Sequence, residues 1–317
     1  MSQKKRWSFL KTFDCLGIDK SDIVRVRKPI FMSLCLSPFG VYAPFMNDNT
    51  NTNIDFDRIG KLIEENKQLI GISFYGDIVD LNVFSKIIQK CNENDVKICV
   101  DISCNSYELN LLEQVSEKIE LSRVTLLSSV RDRHDLYYCA FNSYDDVLYA
   151  LENLERYKIK VLNFPILNEN IYEIKKLYAL CREKNIKFNP IFIPRNSTGK
   201  LELSKYKIAI NEISSIDDYD NLYLDFPTAF NFFKKNCICP AMRFSIDILG
   251  DGLRTCKFSS EVIGSIDDLD RVWASFRFEF SKYCIKCSGF KQCGGGCLLN
   301  RDNSSNIDEY CQKYFHY

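Results

Sequence analysis

From residue 29 onward the hydrophobic positions of this chain follow two alternating periods. Short β-branched runs bounded by turn residues predict strands at 30–35 (IFMSLC), 69–74 (LIGISF), 96–102 (VKICVDI), 123–129 (RVTLLSS), 159–166 (IKVLNFPI) and 187–193 (KFNPIFI). Apolar residues at three- and four-residue spacing predict helices near 54–66, 80–93, 107–119, 143–156 and 169–184. Ser143 is the expected cap of the fourth helix, with Asp145 and Asp146 facing the helix dipole. Strands alternating with helices imply consecutive βαβ units, and hence a parallel sheet with right-handed crossovers. The strands are nearly continuously apolar, as a sheet covered by helices requires. An open doubly wound sheet and a partial barrel both satisfy this pattern.

Beyond 193 the pattern weakens. One further helix is expected inside 203–215, followed by an aromatic-rich stretch, YLDFPTAFNFF. A second part starts near Cys237. Within it, RFSIDILGDGLRTCKF predicts a β-hairpin turning at Gly250-Asp251-Gly252. An acidic turn, the aromatic stretch VWASFRFEF and a glycine-rich cysteine run follow. This part has little apolar periodicity of its own, so metal is expected to hold its loops together.

Composition narrows the function. The 317 residues suffice for about two domains. Lys and Arg total 42 and so do Asp and Glu. Zero net charge argues against a nucleic-acid groove or an anionic membrane surface as the main partner. The start, MSQKKRWSFLKTFD, lacks the apolar core of a secretory signal, and no run approaches the roughly 18 apolar residues of a membrane helix. A cytoplasmic location is the expectation, and thiols there stay reduced. Cysteine is the outlier, at 15 residues against two His. Cys15, Cys91, Cys99 and Cys181 are scattered among apolar runs and read as small core hydrophobes. The others concentrate towards the C-terminus, which in a reducing compartment points to metal.

Residues 284–297 read CIKCSGFKQCGGGC, a C-x2-C-x5-C-x3-C run, with Cys311 downstream and Cys237, Cys239 and Cys256 upstream. Gly294, Gly295 and Gly296 allow close backbone approach to a metal. Four thiolates suit a tetrahedral zinc or an iron–sulfur cluster, and spacing alone leaves that choice open. The whole pattern resembles the seven-cysteine signature of SPASM domains, the C-terminal extensions of radical S-adenosylmethionine (radical SAM) enzymes such as sulfatase and peptide maturases. All seven positions are filled: Cys239, Cys256, Cys284, Cys287, Cys293, Cys297 and Cys311. The Gly252–Cys256 spacing is one residue shorter than usual. The resemblance implies two auxiliary [4Fe–4S] clusters. Cys284, Cys287, Cys293 and Cys311 would hold one. Cys239, Cys256 and Cys297 would hold the other, with Cys237 as the available fourth ligand.

The front half resembles a radical SAM domain and selects a partial (β/α)6 barrel, so the resemblance spans roughly 29–311. It implies an N-terminal extension (1–28), a barrel (29–200), a connection (201–236) and the SPASM domain (237–317). The family's first strand runs into C-x3-C-x2-C, which binds the catalytic cluster. Here Cys35 fills the first position, but Phe39 and Tyr42 occupy the other two. Phe39 has no ligand atom, and the Tyr42 phenol is a poor substitute for thiolate. The family's Gly-Gly-Glu, which holds the methionine end of S-adenosylmethionine, reads Tyr75-Gly76-Asp77. Binding of that cofactor is therefore expected to be weak or absent, with Phe39, Tyr42 and Tyr75 filling the vacated volume.

The expected function is a pseudoenzyme of the radical SAM/SPASM family. It would bind a peptide or a partner protein, such as a peptide-modifying radical SAM enzyme, and keep the auxiliary clusters. One alternative is an active peptide- or protein-modifying enzyme with a rearranged cluster drawing on Cys104 and Cys139. Another is a zinc protein on the same scaffold. His134 falls in an Arg-Asp-Arg-His-Asp segment and is expected to be an exposed loop residue. The basic runs 4–6 and 25–28 are expected to be solvated surface.

Overall fold

In a computed structural model, the described residues are 26–37, 54–78, 81–138, 142–194, 201–216, 221–222, 239, 241–301 and 306–311. Phe39, Tyr42, Cys139 and Cys237 lie outside them, as do Cys15, the basic run 4–6, Arg25 and the aromatic stretch after Leu222. Six parallel strands appear in chain order: β1 (Phe31–Cys35), β2 (Gly71–Tyr75), β3 (Lys97–Ile102), β4 (Leu121–Thr125), β5 (Ile159–Ile166) and β6 (Lys187–Phe192). The helices between and after them are α1 (Phe56–Glu65), α2 (Leu81–Glu93), α3 (Ser106–Val115), α4 (Arg131–Tyr138), α5 (Ser143–Glu152), α6 (Ile174–Glu183) and α7 (Leu203–Ser214). The C-terminal part contributes β7 (Ser245–Leu249), β8 (Gly252–Arg254), β9 (Val262–Ser265), α8 (Leu269–Ser275), α9 (Lys282–Lys286) and α10 (Phe290–Cys293). No described helix is long and apolar enough to cross a membrane.

All nine strands form one sheet, in the order β6-β5-β4-β3-β2-β1-β7-β8-β9. The hairpin therefore continues the sheet, because β7 pairs with β1 in parallel, Ser33 opposite Asp247. Strand alternation divides the side chains between two faces. Met32, Leu34, Ile72, Phe74, Ile98, Val100, Ile246 and Ile248 join the main core beneath the helices. The next positions along, Cys35, Tyr75, Ile191 and Leu249, cluster on the other side with Leu127, Leu167 and Ile193. Strands β6 and β7 stand far apart in the sheet order, yet Ile191 and Leu249 share this cluster. Lys257, just past β8, likewise reaches Asp101 on β3 at 3.3 Å. The sheet must roll up for these contacts to exist, which selects the partial barrel.

Three sequence expectations change. Strand β4 lies two residues earlier at its start and ends at Thr125. Beyond it the backbone turns to side chains for its hydrogen bonds: Leu127 N donates to His134 Nδ1 at 3.0 Å, and Ser129 N donates to Glu173. Helix α4 was not foreseen, and it carries His134 inward, fully buried, so this residue is not an exposed loop residue. Ser143 does not cap α5. Asp135 does, accepting from Asn142 N at 3.2 Å and Tyr144 N at 2.8 Å, while Ser143 Oγ also donates to it at 2.8 Å.

Candidate functional site: a closed barrel mouth and two thiol groups

The C-terminal ends of barrel strands are where reactive groups gather in βα barrels. Cys35 ends β1 there and is fully buried, its Sγ donating to Ser37 O at 3.0 Å. Burial, reinforced by the nearby Asp247 carboxylate, pushes this thiol up to about 12. Beside it Tyr75, at the end of β2, is 1% exposed. The Tyr75 hydroxyl donates to Asp247 at 2.9 Å and accepts from Arg254 Nη2 at 2.8 Å. Arg254 and Asp247 form an ion pair of 2.7 Å with side-chain exposures of 1% and 0%. Ser33 Oγ donates to the same carboxylate. Burial raises the Asp247 carboxyl, and the adjoining guanidinium and the Ser33 and Tyr75 hydroxyls work against that rise. Tyr137, Tyr138 and Phe258 pack over this apolar group. Deeper on the same concave side, Arg123 pairs with Asp101 and donates to Ser73.

Gly76 follows with φ +83, and a Cβ there would fall 2.3 Å from Ser37 O, so the crossing of these two loops admits only glycine. Asp77 accepts from Ser103 Oγ at 3.1 Å, and burial raises its carboxyl above the usual range. The buried Glu108 accepts from Ser103 N at 2.8 Å and from Ile78 N at 3.3 Å, and it shares the single hydroxyl hydrogen of Ser103 with Asp77. Burial pushes Glu108 up to about 7. Cys104 takes a left-handed conformation, φ +66, and packs in the main core, whereas Cys35 belongs to the mouth cluster. Burial pushes the Cys104 thiol well up. Burial also pushes His134 down to about 4, and its Nδ1 accepts from Leu127 N, which places its hydrogen on Nε2.

The seven described C-terminal cysteines fall into two groups. Cys284, Cys287, Cys293 and Cys311 line one small cavity, whose wall includes Asp308 and Phe290. Cys239, Cys256 and Cys297 lie near enough to act on one another electrostatically. Cys287 closes the short helix α9 and Cys293 ends α10, after which Gly294, Gly295 and Gly296 all take positive φ and bend the chain to Cys297. Burial raises Cys256 to about 12 and Cys293 to about 11, so without a bound cation these sulfurs stay protonated. No three of the described His, Cys, Asp or Glu residues group as ligands of one metal ion. Sequence reading did not find Asp247, Arg254, Glu108 or Asp308. For Asp247 the signal available was polar residues at alternate positions of an otherwise apolar strand, Ser245 and Asp247 alternating with Ile246 and Ile248.

A rolled parallel sheet with a hairpin added beside β1 and a cysteine-bearing tail is the radical SAM/SPASM fold. Solved structures sharing it include native anSMEcpe with bound AdoMet and a Cp18Cys peptide, at 16% identity and a TM-score of 0.67, covering 90% of this chain and 95% of that one. Another is Streptococcus suis SuiB bound to S-adenosylmethionine, at 15% identity and a TM-score of 0.66, covering 90% of this chain and 78% of that one. No protein-family model matches the chain, and no curated protein matches its sequence.

Proposed function

We propose that this protein is a non-catalytic relative of radical SAM/SPASM enzymes that binds a peptide or a partner protein and carries two auxiliary [4Fe–4S] clusters. The observation that carries the first half is the barrel mouth. The one cysteine left from the family's cluster motif is sealed under Tyr75, and Tyr75 is tied by its hydroxyl to a buried ion pair. An open-site cluster needs further thiolates and room for a cofactor, whereas Cys35 and Tyr75 are buried together in an apolar cluster. Asp77 is engaged by Ser103. The peptide half draws on the anSMEcpe structures, which contain bound peptides.

The metal half draws on the thiol groups. Four converging thiols suit a zinc as well as an iron–sulfur cluster, and the seven-cysteine pattern across both groups is what favours two clusters. Cys284, Cys287, Cys293 and Cys311 would hold one cluster. Cys239, Cys256 and Cys297 would hold the other, with Cys237 completing it. Bound iron would supply redox or structural chemistry and would favour the thiolate form, and the chain's own contribution is to gather and fix the thiols.

Two measurements test this reading. Anaerobically reconstituted protein should carry close to eight irons, and dithionite with S-adenosylmethionine should release no 5′-deoxyadenosine. Reductant-dependent 5′-deoxyadenosine that disappears in Cys35→Ala would overturn the non-catalytic half. A colourless protein holding zinc would overturn the metal half.

A further inference from the structure

Asp308 is 1% exposed and stands between the two thiol groups. Its Oδ2 accepts from Cys297 N at 2.9 Å. Its Oδ1 accepts from Tyr310 N at 3.0 Å and from Cys311 N at 3.4 Å. Cys297 belongs to one group and Cys311 to the other. A single carboxylate therefore holds a sulfur-bearing backbone from each. The contact is tight: a Cβ on Gly296, φ +79, would fall 2.5 Å from the Asp308 Cβ.

Arg301 offsets the charge that this carboxylate brings, and a second cation, Arg243, lies among the same thiols. The Arg243 guanidinium lies 4.2 Å from the centre of the Phe278 ring and donates to Gly294 O at 2.7 Å. The Arg301 guanidinium lies 5.2 Å from the centre of the Phe280 ring and donates to Glu279 O. Arg243 acts electrostatically on Cys239 and Cys293, and Arg301 on Cys284, Cys297 and Cys239, so each faces members of both groups.

We propose that Asp308 is a positioning residue that couples the two thiol groups, so that ordering one orders the other. Fixing Cys311 fixes Asp308, which in turn fixes Cys297, and the entropy of ordering is spent once for both. Such coupling is reciprocal. Its metal consequence rests on the cluster reading above: the two sites should load together. Its mechanical part does not need metal.

The test uses the full chain with Asp308→Asn. Asparagine has the shape of aspartate but a single acceptor oxygen, so it can serve the Cys297 amide or the Cys311 amide and not both. In metal-free protein, hydrogen exchange at one or both of these amides should quicken by about tenfold or more, the equivalent of about 1.4 kcal/mol, with amides of β2 unchanged. On anaerobic titration with ferrous iron and sulfide, the variant should lose at least half of the native iron. The electron paramagnetic resonance signals of the two sites, assigned with Cys256→Ala and Cys284→Ala, should rise independently in the variant and together in the native chain. Native exchange at both amides in Asp308→Asn overturns the proposal, as does native loading. If the unaltered protein takes up no iron, the cluster reading falls, and amide exchange alone decides the coupling. Asp308→Ala, which removes both acceptors, should quicken exchange at both amides.

Discussion

Glu108 is a carboxylate whose acceptor oxygens are filled by Ser103 and Ile78 donors, and burial still pushes it up to about 7 from 4.5. Folding thus favours its protonated form. Its contribution to stability is fully present below about pH 4.5 and is lost as pH rises through 7, on the order of 3 kcal/mol over that span. Glu108→Gln should flatten this slope. Urea midpoints of both proteins from pH 4.5 to 8 measure it, and a difference between them that is constant with pH contradicts the assignment. Glu108 was invisible in the sequence because it sits in a helix first turn, where an acidic residue is ordinarily explained by the dipole. The cysteines were legible for the opposite reason. Cys284, Cys287, Cys293 and Cys297 are separated by two to five residues, so their spacing marked them, and the resemblance to a known pattern added the distant ones. Asp247 and Arg254 are also close in sequence, but their role is set by Tyr75 and Ser33, which arrive from the far half of the chain.

Among the elements, α5 shows what spacing misses. A serine at the start of an apolar stripe predicts a self-capped helix, and here the cap comes from Asp135 on α4 instead. Asp135→Ala should cost about 1 kcal/mol, within the 0.5–2 of lost caps, and should speed amide exchange over residues 143–146. Ser143→Ala should cost less, since Asp135 keeps both backbone donors. The C-terminal elements also depart from expectation. Ile246, Ile248, Leu253, Leu269, Val272 and Trp273 all enter the main core, so this part is not without apolar anchorage. Cys287→Ala should therefore expose only the segment around the cysteine run to protease. Limited proteolysis read by mass spectrometry should place new cuts within 279–311, and cuts inside 245–275 would show that metal holds the hairpin too.

At the scale of the whole molecule, hydrophobic periodicity found the strands and their parallel sense but left open sheet and barrel both possible, because both cover the same apolar face. The distinction lies in Ser33, Ser73, Asp101 and Asp247, polar positions inside apolar strands, which line the concave side. The Arg254–Asp247 pair joins the hairpin to the barrel through Tyr75. Arg254→Met alone should destabilise by about 3–5 kcal/mol, because it strands a buried charge, whereas Asp247→Leu with Arg254→Met should recover much of that loss. Denaturant titration of the single and double variants decides it, and additive losses would count against the pairing. The join also has a timetable. Strand β1 finds its first neighbour once β2 is made, but its other neighbour is β7, and Ser33 and Asp247 are 214 residues apart. At about 5–20 residues per second of synthesis, one side of β1 waits roughly 10 to 40 seconds on the ribosome for the strand that covers it.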